Sequence, residues 1–282
     1  MKNIGVLGCG PTGLLVAHAV EQAGHVPHII SKKEKSDIPG SQHLHGTIPG
    51  LTPEYPEGTI QFVRIGTARE YAMKVYRDPD RETGWDHYWQ VYPSWNVLRA
   101  YSELWRRYED DISDYLVQTE DMPQLIGMYD TIISTIPMWN VCLKPEEHEF
   151  RSQDYWIKRL PTPEADKDHE IVVYNGLRSD HWYRWSILGG LCSIESTSWM
   201  DTGDPEWEKG VKAIDNTCDC WPTVHRCGRW AEWKHGITMY TSYIKATQIM
   251  EALDGRSRPA DSTTTGGIDQ RERLHRVHGS HP

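Results

Sequence analysis

The sequence predicts an α/β protein. A Rossmann-like dinucleotide-binding domain with a parallel sheet and a βαβ start carries an inserted, mainly antiparallel β domain. Three observations predict it. A short apolar run at 4–7 breaks into Gly8, Gly10 and Gly13, spaced G-x-G-x-x-G. Helix-periodic residues follow over 12–23, Gly24 ends them, and a second apolar strand covers 26–30. Farther on, runs rich in β-branched and aromatic residues recur between turn signals.

The first unit has a physical reading. Gly8 makes the tight turn out of the strand, Gly10 lets a pyrophosphate approach the backbone, and Gly13 lets the helix pack close to the strand. Pro11 and Thr12 open the helix, whose free N–H groups and positive dipole end face the phosphates. The alternative is an ordinary βαβ unit whose glycines only make a turn.

At the end of the second strand, where an acid would hold the ribose hydroxyls, stands Ser31, followed by Lys32 and Lys33. Three uses stay open. Ser31 holds the ribose with backbone groups, or Lys32 and Lys33 accept a 2′-phosphate, or the lysines are a solvated turn. The next loop carries Gly40, Gln42, His43, Leu44 and His45, along the path of a dinucleotide.

After a Pro- and Gly-rich linker, strands are expected at 59–65, 70–77 and 88–92, and a helix at 95–108 with an apolar stripe. The acidic turn at Glu109, Asp110 and Asp111 reads as a solvated loop. Residues 129–137 read as a buried parallel-sheet strand. Its end, Thr135, Ile136 and Pro137, points at the crevice where cofactors sit. Segments 150–160, 170–175 and 182–199 read as further strands, and 201–210 carries helix-start features. A helix is expected over 237–253, then a disordered tail over 254–282. Residues 1–58, 110–145 and 220–253 thus form the expected cofactor domain. Residues 59–109 and 146–219 form the expected substrate domain.

Composition bounds the function. The chain has 282 residues and a formal net charge of −10, so a broad nucleic-acid surface is not indicated. There is no apolar run long enough for a membrane span and no signal-peptide pattern, so a soluble, cytoplasmic protein is expected. The 13 Trp and 14 Tyr against 2 Phe suit partly wet clefts, or are compositional drift. Six scattered cysteines do not indicate a disulfide framework. Cys218, Cys220, His225 and Cys227 stand close in sequence, but C-x-C-x4-H-x-C is not a common zinc pattern, so incidental thiols and no metal are expected.

Four segments, GCGPTGLLVAHAVEQAGH, PGSQHLHG, YDTIISTIP and GRWAEWKHGITMYTSYIKAT, occur in an order that resembles the FAD-dependent amine oxidase/UDP-galactopyranose mutase-like superfamily, as a short, phage-type member. The last is similar to the closing motif G-R-x-A-E-x-K of the mutases. The resemblance implies FAD, held additionally by Gly228, Arg229, Gly236, Ile237 and Thr238. It places His45, and less directly His43, beside the flavin ring. It makes WYRWS, with Arg184, the arginine-bearing strand facing the substrate; Trp182, Tyr183 and Trp233 would stack on a base or sugar, and Arg184 and Arg229 would clamp a substrate anion or else form buried salt bridges.

The chain departs from the mutases at Ser31 and at Ile237-Thr238, where they carry acids, and it is shorter than most of them. The implied activity is an oxidoreductase or mutase-like enzyme acting on a small polar, amine- or nucleotide-sugar-like substrate. His45 or Lys234 would take a proton, Arg184 or Arg229 would hold an anionic group, and NAD(P)H is a possible reductant. The alternatives are a plain NAD(P)-dependent oxidoreductase and a non-catalytic nucleotide-binding module.

Overall fold

In the computed structural model, residues 1–38, 42–81, 83, 89–162, 170–197 and 206–256 are described. Gly40, Tyr88, residues 198–205 of the expected strand and helix start, and the expected tail beyond 256 lie outside them. Residues 254–256 are the exception within that tail. Asp254 caps the last helix and meets His25 Nε2 at 3.1 Å.

Two sheets make the protein. Strands β1 (Asn3–Leu7), β2 (Val26–Ser31), β5 (Ile112–Asp114), β6 (Thr131–Ser134) and β12 (Val224–Arg226) form the first, in the order β12-β6-β1-β2-β5 and parallel throughout. The chain builds outward from β1 through β2 to β5, then returns to the other side of β1 with β6. The crevice between the carboxyl ends of β1 and β6 is therefore the topological switch point, where open α/β sheets bind ligands.

Alternation along the strands covers both faces. Ile4, Val6, Ile29 and Ile133 join one core with the helices α1 (Pro11–Gln22), α3 (Val97–Tyr108) and α6 (Met239–Leu253). Leu7, Ile30 and Ile132 join the opposite core, with Met122 and Leu125 of α4 (Met122–Met128). Each such aliphatic side chain, taken fully out of water, contributes roughly 1.5–3 kcal/mol. Helix α1 is buried along most of its length, including His18, whose Nε2 lies 2.8 Å from the Pro49 carbonyl oxygen. Helix α3, on the substrate side of the expected domain boundary, packs on α1.

The second sheet has seven strands, in the order β11-β7-β10-β9-β8-β3-β4. They are β3 (Gly58–Ile65), β4 (Trp89–Ser94), β7 (Phe150–Leu160), β8 (Glu170–Asn175), β9 (Trp182–Leu188), β10 (Leu191–Ser196) and β11 (Glu208–Asn216). All pairs are antiparallel except β3 with β8. The expected strand 182–199 is thus a hairpin turning at Gly189 and Gly190, both with positive φ.

The expected strand at 70–77 is a helix, α2 (Ala68–Tyr76). Thr67 and Glu70 close a capping box, and Tyr71, Ala72, Val75 and Tyr76 are buried at helical spacing. Local capping and that one-sided burial outweigh the β propensity of Tyr and Val. Segment 206–210 leads into β11, so no helix starts there among the described residues.

Candidate functional site

The glycine turn has the shape its sequence implies. Gly8 has φ +108°, and a Cβ on it would lie 2.5 Å from Thr135 Oγ1. Thr135 donates from both its N–H and Oγ1 to the Leu7 carbonyl, each at 2.8 Å, pinning the ends of β1 and β6 together. A Cβ on Gly13 would stand 2.0 Å from the Gly8 oxygen, whereas one on Gly10 would meet only Ser36 Oγ, at 3.5 Å. Gly8 and Gly13 are therefore fixed by packing, whereas a side chain on Gly10, at the start of α1, would meet nothing closer than an ordinary contact. Ser134 Oγ, on the last residue of β6, is buried without a hydrogen-bond partner.

The ribose side departs from the usual arrangement. Ser31 ends β2, Lys32 Nζ pairs with Glu34 at 2.7 Å, and the Lys33 N–H donates to Asp114 Oδ1 at 2.9 Å. That ion pair raises the exposed lysine and lowers the glutamate through their hydrogen bond and mutual charge.

The histidine loop is held at two points. Leu44 forms a two-hydrogen-bond bridge with Trp95. Gly46 lies so close to Tyr240 that a Cβ would fall 2.3 Å from its ring, which ties the loop to the first turn of α6. His43 and His45 flank Leu44 and their rings stand 4.1 Å apart. Burial, then the charge of Arg184, lowers His45; burial, His45 and Arg184 lower His43 well below the ordinary histidine value. His45 is nonetheless exposed at the surface. His43 Nε2 is buried with no hydrogen-bond partner. Gln42 is exposed.

The floor is the second sheet. Between β9 and β10 the register jumps, so that Arg184 faces Glu195 but Trp182 faces Ser196. Tyr183 is the extra residue of this bulge. Both neighbours reach one carboxylate: Arg184 Nη1 donates to Glu195 Oε1 at 2.8 Å, and Tyr183 Oη donates to Oε2. Lys212 of β11 donates to Tyr183 Oη at 3.0 Å and lies over its ring, 4.2 Å from the centroid. Gly210 makes room in β11, because a Cβ there would strike the Tyr155 ring at 2.5 Å.

These groups are buried, and their charges set one another. Burial works against the Glu195 carboxylate, but Arg184 and Lys212 hold it below its ordinary value. Burial lowers Lys212 to about 8, with Arg229 and Arg184 adding to the fall and Glu195 opposing it. Burial works against the Arg184 cation too, and Glu195 more than restores it.

The closing segment seals the cleft. Gly228, at φ +102°, abuts Thr12, where a Cβ would lie 2.8 Å from its methyl group. Helix α5 (Arg229–Glu232) follows. His235 then donates from its backbone to the Ile214 carbonyl of β11 at 3.1 Å, and its Nδ1 lies 3.1 Å from Tyr76 Oη. Burial, then Lys212 and Arg229, pushes His235 down to about 2. Arg229 Nε is buried without a hydrogen-bond partner. This segment therefore touches the glycine turn at one end and, at the other, β11 two residues from Lys212, whose charge His235 feels.

The expected residues divide accordingly. Gly8, Gly10, Pro11, Thr12, Gly13, Thr135 and Gly228 come together at the switch point. Ile136 packs beside Gly8, and Pro137 leads into a 3-10 turn. His43, His45, Tyr183, Arg184 and Arg229 gather around the cleft. Trp233 does not join them: it is buried among Trp139, Phe150 and Trp230 and anchors the closing segment. The Lys234 side chain is exposed, while neighbouring His235 turns inward. Trp182 gives its carbonyl to Lys74 Nζ at 2.7 Å. Gly236 is exposed with φ +88°, Ile237 is half-buried, and Thr238 caps α6.

Glu195, Lys212, His235 and Tyr76 escaped sequence reasoning. The available signal was a charged residue inside the apolar stretch of a strand, as at Lys212 between Val211 and Ala213-Ile214. The expected grouping of soft ligands also differs. Cys218 and Cys220 lie in the core beneath the parallel sheet with Cys142, whereas Cys227 packs in the α1 core.

No family model matches the chain, and no curated protein matches its sequence. Solved structures match its fold. A tetrameric form of 2-methyl-3-hydroxypyridine-5-carboxylic acid oxygenase is 14% identical, with TM-score 0.52 over 91% of this chain and 83% of its own. A flavoprotein/dehydrogenase from Cytophaga hutchinsonii is 14% identical, with TM-score 0.52 over 93% and 80%. Reduced UDP-galactopyranose mutase is 11% identical, with TM-score 0.50 over 91% and 94%. A parallel sheet joined to a separate and mainly antiparallel sheet is thus the fold this chain shares with these flavin-enzyme structures.

Proposed function

We propose that the protein is an FAD-dependent oxidoreductase acting on a small polar substrate that carries an anionic group. One juxtaposition carries the reading. Gly228 packs against Thr12 of the glycine turn, and the next residue, Arg229, has a buried Nε without a hydrogen-bond partner, so an orphaned cation stands beside the backbone that suits a pyrophosphate.

The residues present fit the cofactor. The turn from Gly8 to Gly13 and the first N–H groups of α1 suit a pyrophosphate. Ser31 offers a hydroxyl in place of the usual ribose acid. His43 and His45 suit the edge of a flat ring, and His43 Nε2 lacks a partner. When bound, the flavin supplies two-electron redox chemistry.

The chain's own residues then have separate tasks. Arg184 is committed to Glu195, whereas Arg229 makes no side-chain ion pair or hydrogen bond among the described residues and is assigned the anion. With Lys212 protonated, three cations face one carboxylate, and the excess positive charge favours an anionic substrate. Lys212 Nζ, at about 8, gives up or takes a proton near neutral pH while Tyr183 Oη orients it. His45, lowered by burial and by Arg184, stays neutral near pH 7 and accepts a proton at a ring nitrogen.

Mass spectrometry of small molecules released on denaturing the purified full chain tests the cofactor. Stoichiometric FAD is expected. A protein that retains no flavin, and takes up none when FAD is added, is not this enzyme. Anaerobic mixing of the loaded protein with candidate substrates then separates net oxidation from mutase-like turnover, since only the first bleaches the flavin. Titration with NAD(P)H asks whether it is the reductant.

A further inference from the structure

Away from the cleft, four soft ligands converge from two distant segments. Cys142 and His148 lie on the connection that leaves β6 for β7, and Cys218 and Cys220 on the connection that leaves β11 for β12. Their ligand atoms all lie within 4.8 Å of one another. Cys142 Sγ is 3.6 Å from Cys218 Sγ, 3.9 Å from Cys220 Sγ and 3.1 Å from His148 Nδ1; Cys220 Sγ is 3.8 Å from the same nitrogen. None of the three thiols is in a disulfide. We propose that Cys142, His148, Cys218 and Cys220 form a structural zinc site that clamps the two sheets together.

The geometry is that of a closed tetrahedral centre. With Zn–S near ~2.3 Å and Zn–N near ~2.0 Å, a regular tetrahedron places sulfurs about 3.8 Å apart and a sulfur about 3.5 Å from the nitrogen. The separations bracket these values, and four protein ligands leave no position for water, as in structural rather than catalytic sites.

The surroundings complete the case. His148 presents Nδ1 to the sulfurs while Nε2 lies 3.5 Å from Asp219 Oδ1, the carboxylate–histidine pairing that orients metal-bound imidazoles. Three thiolates on one Zn2+ leave a net negative charge. Arg226 lies against it, donating to the carbonyls of Cys218 at 2.8 Å and Cys220 at 2.6 Å, with Nη2 4.0 Å from Cys218 Sγ. The cysteines are buried beside Met138, Val141 and Val224, which keep bulk water out.

The placement gives the site its task. Each of its two segments crosses between the parallel sheet and the antiparallel sheet. Further bonds join the same crossovers, from Trp221 Nε1 to the Val141 carbonyl at 2.6 Å and from the Glu149 N–H to Thr217 Oγ1 at 2.9 Å. A metal here fixes the spacing of the two walls of the cleft without touching the chemistry within it.

Elemental analysis of the untagged full chain, purified without chelator, tests this. One zinc per chain is expected. The Cys142→Ser and Cys220→Ser variants should lose it and melt at lower temperature, and Cys227→Ser, outside the cluster, should keep it. Should the variants not fold, cobalt substitution of the wild-type chain gives the second readout. Tetrahedral d–d bands with thiolate-to-cobalt charge transfer are expected. Absence of metal together with no uptake of zinc or cobalt by the reduced protein overturns the proposal, and so does a Cys142–Cys218 disulfide found by peptide mapping of freshly purified protein. Flavin content is read separately, so the outcome does not depend on the proposed activity.

Discussion

Gly13 lies directly against Gly8, and a Cβ on it would stand 2.0 Å from the Gly8 carbonyl oxygen. That contact is backbone, which cannot swing aside. Gly10, between them, would place its Cβ 3.5 Å from the tip of Ser36. Gly13→Ala should therefore push α1 off β1 and cost about 1–3 kcal/mol, as overpacking does. Gly10→Val should melt within a few degrees of wild type and lose FAD. Thermal melts and flavin content of the two variants check both. A Gly13→Ala protein of unchanged stability would contradict the packing.

The glycine unit was legible because it is local: turn, helix and strand fall within thirty-odd residues, and each glycine's task follows from neighbours in sequence. The closing segment around Gly228 and Arg229 was legible only through resemblance, since its partners, Thr12 and β11, are distant in the chain. Glu195 and Lys212 were not legible. A strand's pattern says which residues share a face, but Tyr183 reaches Glu195 through a bulge that alternation does not announce. The full four-residue cluster proposed to bind zinc was not legible for the same reason. Cys218 and Cys220 were visible as a pair, but their partners lie on another crossover, while the nearer His225 and Cys227 follow β12 away.

Thr67→Ala should weaken α2. Its Oγ1 accepts the Glu70 N–H at 3.2 Å, and Glu70 Oε2 accepts the Thr67 N–H at 3.0 Å. Loss of such a cap costs about 1 kcal/mol. Because Tyr71 and Tyr76 of α2 pack against Tyr183 and His235, substrate affinity should fall with stability. Chemical denaturation and KM, measured on the same samples, check the pair of effects.

Arg229→Gln should raise KM for the anionic substrate with little change in melting temperature, since its Nε makes no hydrogen bond in the fold. A charge-assisted hydrogen bond contributes about 1.5–3 kcal/mol, or roughly 10- to 150-fold in affinity. Arg184→Gln should instead destabilise the protein, because it leaves Glu195 buried without its guanidinium. Steady-state kinetics beside thermal melts separates the two arginines. Equal losses of stability would remove Arg229 from its assigned task.

His235 makes the protein acid-sensitive. Its folded pKa is about 2, pushed down by burial and then by Lys212 and Arg229, against 6.5 for the free side chain. Between those values the unfolded chain takes up a proton that the native one refuses. Stability therefore falls as pH drops below 6.5, by up to about 1.4 kcal/mol per pH unit for this group. His43 acts in the same direction. His235→Gln can keep the contact with Tyr76 and should flatten the loss between pH 6.5 and 4. Denaturation midpoints across that range check it, and parallel curves for wild type and variant would show that His235 protonates freely.

Lys212 gives the opposite end of the pH range its signature. Its folded pKa is about 8, depressed by burial first and then by Arg229 and Arg184, against 10.5 unfolded. Below pH 8 both states are protonated and the full cost of the buried charge is present. Between 8 and 10.5 the unfolded state binds the extra proton, so stability rises with pH and the cost is relieved, by an amount on the order of 3 kcal/mol. The buried tyrosines act oppositely above pH 10: Tyr183 is raised by burial and by Glu195, so the unfolded chain ionises first and stability falls. The Lys212 effect is therefore read as the difference between wild type and Lys212→Met from pH 8 to 10. Wild type should gain on the variant steadily across that window. The same variant should lose activity with a changed pH profile, because the group that exchanges a proton near 8 is gone. A rate profile identical in shape to wild type would leave Lys212 a packing residue and return the acid–base task to His45.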